Sequence, residues 1–289
     1  MILVTGATTT VGGEVVRLLA ARGDTVRAFG RSADKLPRRT AVEPFAGDLT
    51  DRFAVEAAVK GAARVFLLGE PGPDQVEAQS NVIQAARRSG VKLLVKMSAV
   101  GADAQSPVNL ARWHAKSEDE LRRADVAHAI VQPQLLMQST LAYAPFVKDQ
   151  GVFHGAMRDG RVAFVDARDV AAVAAAVLTG RGHEGKTYVV TGGEALSLGD
   201  VAEKLSVATG KAVRYMDLPA GELKRRLLQA GLPFWLVDDL AALHVFFSTG
   251  GGAGTTRVVG EVTGSPPRTY DAFAREFAPA FSSRLVAEA

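Results

Sequence analysis

From the N-terminus to about residue 133, short apolar runs alternate with amphipathic stretches. Ile2-Leu3-Val4-Thr5 reads as a buried strand, and residues 12–22 carry Val15, Val16, Leu18 and Leu19 at helical spacing. Gly23-Asp24 ends that helix, and 25–29 reads as the next strand. The same reading predicts strands over 41–45, 64–68, 91–97 and 127–132, with helices over 52–60, 75–89 and 111–124. Parallel strands of this kind read as continuous Val/Ile/Leu runs because both faces are buried. This rhythm predicts an α/β fold, a Rossmann-like doubly wound parallel sheet with helices on both faces.

After Pro133 the rhythm loosens. A strand over 162–165, a helix over 169–178 and a strand over 187–191 still look like core, so the dinucleotide-binding part is expected to span 1–133 completed by 162–191. The remainder, 134–161 and 192–289, is expected to form a smaller, mainly helical substrate or lid lobe. Its helices are predicted over 198–208, 222–230, 234–247 and 270–277, with a flexible break at 250–254.

Composition narrows the function classes. The 289 residues include no cysteine, which excludes disulfides, thiolate metal sites and cysteine nucleophiles. No apolar run approaches the roughly 18 residues of a membrane-spanning helix. The start is strand-like where a secretory leader would be basic and apolar, so a cytoplasmic protein is expected, and it is expected to be a monomer or homodimer. The 34 basic and 31 acidic residues are interspersed, and the densest basic cluster, residues 35–39, is short and holds a proline. Nucleic acid is therefore not an expected partner. Glycine is in surplus, 29 residues against a norm near 7%, and its positions carry the chemistry.

Val4-Thr5-Gly6-Ala7-Thr8-Thr9-Thr10-Val11-Gly12 joins the first strand to the first helix. Such a turn aims backbone N–H groups and the positive end of a helix at a pyrophosphate. Gly6 fits the tight turn and Gly12 the close helix packing, while Thr9 holds the middle position where the backbone must approach the phosphates. The second strand ends in Gly30-Arg31-Ser32, with Lys35 a turn later, where an NAD site would place an acid. A guanidinium suits a 2′-phosphate, so NADP(H) is favoured over NAD(H). Asp48 and Leu49 after the third strand, and Leu68 and Gly69 after the fourth, complete the candidate cofactor set.

These residues resemble the short-chain dehydrogenase/reductase superfamily, in particular its atypical NmrA-like and quinone or triphenylmethane reductase branch. The resemblance rests on Thr5-Gly6-Ala7-Thr8, Gly30-Arg31, Gly47-Asp48-Leu49, Leu67-Leu68, Ser98-Ala99-Val100-Gly101, Asp166-Ala167-Arg168-Asp169, Thr187-Tyr188 and Ser265-Pro266-Pro267-Arg268. It implies a hydroxyl residue after the fifth strand, matched by Ser98, and a Tyr-x-x-x-Lys pair on the next helix. Lys116 matches the lysine, but Arg112 stands at the tyrosine position, and no tyrosine precedes Tyr143. Tyrosine supplies the proton for a reduced carbonyl in that superfamily; arginine holds its proton too tightly, though as a fixed charge it can stabilise an alkoxide. The proton is then expected from Ser98 through water, from His114 or from the substrate. Lys116 is expected on the nicotinamide ribose, and Pro133 and Leu135 beside the nicotinamide.

No metal site is expected. Met137, Tyr143, Phe153, His154, Trp235 and Phe246 are the candidate substrate contacts, an apolar set suited to a flat ligand. The resulting expectation is an NADPH-dependent ketoreductase or quinone reductase of a hydrophobic, polycyclic aromatic small molecule, as in natural-product biosynthesis. The alternative is a non-enzymatic NmrA-like regulator that senses NADP(H).

Overall fold

The computed structural model describes residues 1–282 and divides into two units. The first comprises 1–133, 167–190 and 258–265, and the second 134–166, 191–257 and the remainder from 266. Residues 162–166 thus belong to the second unit, while 258–265 join the first. The final seven residues of the expected lobe, 283–289, lie outside the described residues.

The first unit opens with β1 (Ile2–Val4), α1 (Thr10–Ala21), β2 (Val26–Gly30), β3 (Val42–Ala46), α2 (Arg52–Val59), β4 (Arg64–Leu67) and α3 (Gln75–Arg88). It continues with β5 (Leu93–Met97), α4 (Asn109–Arg123) and β6 (His128–Pro133). In the second unit follow α5 (Ala144–Gln150) and β7 (Val152–Gly155), after which α6 (Ala167–Thr179) and β8 (Thr187–Val190) return to the first. Seven parallel strands stand in the order β3-β2-β1-β4-β5-β6-β8. The order runs outward in both directions from β1, so right-handed crossovers put helices on both faces. One core joins Leu3, Phe29, Val65, Leu67, Leu94 and Ile130 of the strands to Val55, Val82, Ile83 and Leu121 of α2, α3 and α4. Each such buried aliphatic side chain is worth roughly 1.5–3 kcal/mol. On α1, Val15, Val16 and Leu19 are buried where the helix packs on α6.

The second unit continues with α7 (Leu198–Thr209), β9 (Arg214–Asp217), α8 (Ala220–Gln229) and α9 (Phe234–Ser248). The short α10 (Val258–Thr263) belongs to the first unit and packs on α6, and α11 (Tyr270–Phe281) is again in the second. A second core gathers Phe153, Phe164, Leu198, Val201, Leu205, Tyr270 and Phe273. The chain starts α7 with a reciprocal cap, Ser197 accepting from the Asp200 amide and Asp200 from the Ser197 amide.

Several elements depart from the sequence expectation. Residues 162–165 form no strand; Val162 makes isolated bridges to Leu196 and Gly252, and Val165 one to Leu136. Its apolar run instead supplies buried side chains, Val162 and Phe164, to the second core. The pairing of β7 with β9, and the short helices α5 and α10, had no periodic signal.

Candidate active site

A cleft of about 250 Å³ opens where the strand order reverses, at the carboxyl ends of β1 to β4. Gly6, Thr8, Gly30, Arg31, Asp48, Leu49, Leu68 and Gly69 line it together with Glu70 and Gln75. Gly6 has φ +61°, and a Cβ there would stand 2.8 Å from the Leu68 carbonyl oxygen. At Gly12 a Cβ would stand 2.1 Å from the Gly6 carbonyl oxygen. The turn is therefore folded too tightly to admit either side chain.

Thr9 is the N-cap of α1. Its hydroxyl accepts from the Gly12 amide at 3.1 Å and donates to the Gly6 carbonyl at 2.8 Å, so it faces into its own loop. Thr10 and Val11 begin the helix, where amides have no intrahelical acceptor and carry the positive end of its dipole. The Val11 side chain is buried, leaving its backbone as the group that can serve a phosphate.

Two charged groups face each other across the cleft. Exposed Arg31, just beyond β2, forms an ion pair with Glu70, beyond β4. Asp48 accepts from the Thr50 amide at 2.9 Å and its hydroxyl at 2.8 Å, and these bonds, with Arg31 nearby, hold its carboxyl below the usual carboxylate range. Lys35 lies in an exposed 3₁₀ turn, Ala33–Lys35, and is not among the lining residues.

The lining residue Gln75 also touches a second, largely buried cluster. Gln75 Nε2 is 3.3 Å from His114 Nδ1, and Lys96 Nζ is 3.1 Å from the same nitrogen. With both neighbours donating, the His114 proton belongs on Nε2. Lys96 has 0% exposure. Burial pulls its amine down to about 7, with Glu118 opposing the shift and Arg122 adding to it. Burial, and then Lys96, hold His114 well below the usual imidazole range.

The neighbouring Ser98 is also buried, and its hydroxyl donates to Glu118. Glu118 accepts in addition from Gln132 Nε2 at 2.8 Å and Arg122 at 2.7 Å. The structure therefore brings Ser98 and His114 into one polar cluster, linked by Lys96 and Glu118, but corrects two of their expected companions. Lys116 is exposed on another side of α4, beside Gln84, Arg87, Asp119, Glu120 and Arg123. Helical geometry explains this, because positions two apart diverge by about 200° and Glu118 takes the inward direction. Arg112 is spent on its own loop, donating to the Ser106 carbonyl at 2.6 Å and to Asn109. Lys96, Glu118, Gln75 and Glu70 went unrecognised in the sequence. Only Lys96, a charge inside an apolar strand, gave a signal.

The substrate candidates lie in the second unit and are of two kinds. Met137 and Phe153 are buried core, correcting their expected role: Phe153 is stacked on Tyr143 with centroids 4.5 Å apart and lies 5.7 Å from Tyr215. Tyr143 is half-buried, its phenol pushed up to about 12 by burial. Surface remains on His154, Trp235 and Phe246, the last packed 5.6 Å from Phe247. Leu135 packs against this second core, and Pro133 is the buried last residue of β6.

A doubly wound sheet with a glycine turn and a cleft at its switch point defines a dinucleotide-binding protein. The NmrA-like family matches residues 1–264, and the chain belongs to that family. It is 38% identical over 285 residues to an NAD(P)H azoreductase of Xenophilus azovorans, covering 98% of this chain and 100% of the relative. It is 36% identical over 288 residues to a (4-alkanoyl-5-oxo-2,5-dihydrofuran-3-yl)methyl phosphate reductase of Streptomyces griseus, covering 98% and 99%. The crystal structure of the Escherichia coli NADPH-dependent quinone oxidoreductase QOR2 complexed with NADPH superposes with a TM-score of 0.87. That match has 30% identity and covers 96% of this chain and 99% of the other. Among the described residues no helix is long and apolar enough to cross a membrane, and no group of three or more His, Asp or Glu side chains could hold a metal ion.

Proposed function

We propose that this chain is an NADPH-dependent reductase of a hydrophobic aromatic ketone or quinone. The supporting observation is the cleft, in which a turn too tight for side chains at Gly6 and Gly12 meets the Arg31 guanidinium. The donor set fits the cofactor: Thr10 and Val11 amides for the pyrophosphate, Arg31 for the 2′-phosphate, and Leu49 and Leu68 as apolar walls. Bound NADPH supplies the hydride that reduces the substrate carbon. The reductase names of the aligned relatives support turnover over a purely sensing role.

The chain's own residues position and stabilise charge. Gln75 and Lys96 donate to His114 Nδ1, so the imidazole stays neutral and presents Nε2–H. A neutral imidazole donates a hydrogen bond to developing negative charge without carrying a desolvated cation. This arrangement offers a polar wall in place of the missing tyrosine. Phenolic substrates are favoured because an adjacent hydroxyl supplies the remaining proton.

The test is NADPH oxidation by purified protein with a panel of quinones, aryl ketones and azo dyes. Turnover of at least one class is expected. NADPH binding with no oxidation above background across the panel would leave the sensing role standing and overturn the reductase reading.

A further inference from the structure

The strand order places β2 and β4 on either side of β1. Neighbouring strands are about 4.8 Å apart, so Arg31 beyond β2 and Glu70 beyond β4 meet above the end of β1, from which the Gly6 turn departs. Both side chains line the cleft and both are well exposed, 63% for Arg31 and 56% for Glu70. An ion pair this wet contributes little to stability. It does not close the cleft, but it decides what a second anion meets there.

We propose that Glu70 is a specificity-determining residue that weakens the preference for NADP(H) over NAD(H). The proposal rests on the reading of this cleft as the cofactor site. A 2′-phosphate carries up to two negative charges and takes the Arg31 guanidinium by charge-assisted hydrogen bonds. Doing so strips Glu70 of its partner and leaves a carboxylate facing the phosphate. Asp48 adds a second negative charge near Arg31, though Thr50 already occupies one of its oxygens. NAD(H) has no 2′-phosphate, so the Arg31–Glu70 pair persists and Glu70 remains an acceptor for a ribose hydroxyl. Removing the Glu70 charge therefore helps one nucleotide and not the other.

The experiment measures Kd for NADPH and NADH by calorimetry on the full chain, comparing wild type with Glu70→Gln and Glu56→Gln. Glu56 pairs with Arg52 and Arg88 outside the cleft and changes the net charge equally. The Kd ratio of NADH to NADPH is expected to rise about three- to tenfold in Glu70→Gln and to stay within about twofold in Glu56→Gln. An unchanged ratio in Glu70→Gln, or an equal rise in both variants, overturns the role of Glu70 while leaving the cofactor site intact. Binding of neither nucleotide by the wild-type protein overturns the cofactor reading and this proposal together.

Discussion

Lys96 Nζ stands 3.1 Å from His114 Nδ1, with the lysine wholly buried at the end of β5. An amine in that position is held near 7 in the folded chain, against 10.5 when free. Between those values the unfolded chain binds a proton that the folded chain does not, so stability must rise with pH. The contribution is complete above the unfolded value and is lost as pH falls through about 7. His114, also depressed, extends the loss on further acidification. Urea unfolding from pH 6.5 to 9.5 should show the rise, and Lys96→Met should flatten it. Because the methionine needs no proton partner, that variant should match or exceed wild type at the acidic end. An equal slope in the two proteins would contradict the assignment.

Glu118 ties together Ser98, Gln132 and Arg122 at 3% exposure of its own side chain. Glu118→Leu should cost about 2–4 kcal/mol, since it strands several donors in the same place. Ser98→Ala should cost about 1 kcal/mol, as it removes one hydrogen bond and leaves Glu118 with its other partners. Chemical denaturation of both variants checks the order, and a Ser98 effect as large as the Glu118 effect would break it.

At the glycine turn, Gly12→Ala forces a Cβ to within 2.1 Å of the Gly6 carbonyl oxygen. Loss of measurable NADPH binding is expected, with destabilisation of roughly 1–3 kcal/mol or more from overpacking. Thr9→Ala removes the helix cap and the hydroxyl's bond to the Gly6 carbonyl and should cost about 1–2 kcal/mol. Thr9→Gly should cost a few tenths, because glycine also tolerates the N-cap position. Calorimetric titration with NADPH, alongside thermal melts, separates the two positions.

Lys116→Ala should leave kcat and the KM for NADPH within about twofold of wild type, given its solvent-facing place on α4 and the small effects usual for such surface changes. His114→Ala should lower kcat with a smaller change in NADPH affinity. Steady-state kinetics on the two variants tests this, and a collapse of activity in Lys116→Ala would restore the lysine to the site.

The sheet was legible because its evidence is local and repeated. β1, β4 and β5 are apolar runs, and the helices α1 to α4 each carry an apolar stripe. The turn at Gly6 and Gly12 was legible for the same reason, as only glycine meets its steric demand. The polar cluster was not, because Gln75, Lys96, Ser98, His114 and Glu118 come from three separate elements. Their meeting depends on how α3 and α4 rotate over β5, which spacing does not encode. Lys116 illustrates the failure: family resemblance gave it a role, yet a rotation of the helix by two residues handed the inward face to Glu118. Met137 and Phe153 fail differently, since an aromatic or thioether side chain reads the same whether it fills a core or a pocket.

The interleaving of the two units bears on how the polypeptide is made. Sheet strand β8 and helices α6 and α10 of the first unit are separated from β6 by stretches belonging to the second. On a translating ribosome the edge of β6 thus emerges without its neighbour, and α10 follows only after much of the second unit. At roughly 5–20 residues per second the gap lasts on the order of ten seconds. During that interval an unpaired edge strand is open to other nascent chains. Cutting the gene after residue 133 would make that transient permanent, so the nucleotide cleft has to be studied within the whole chain.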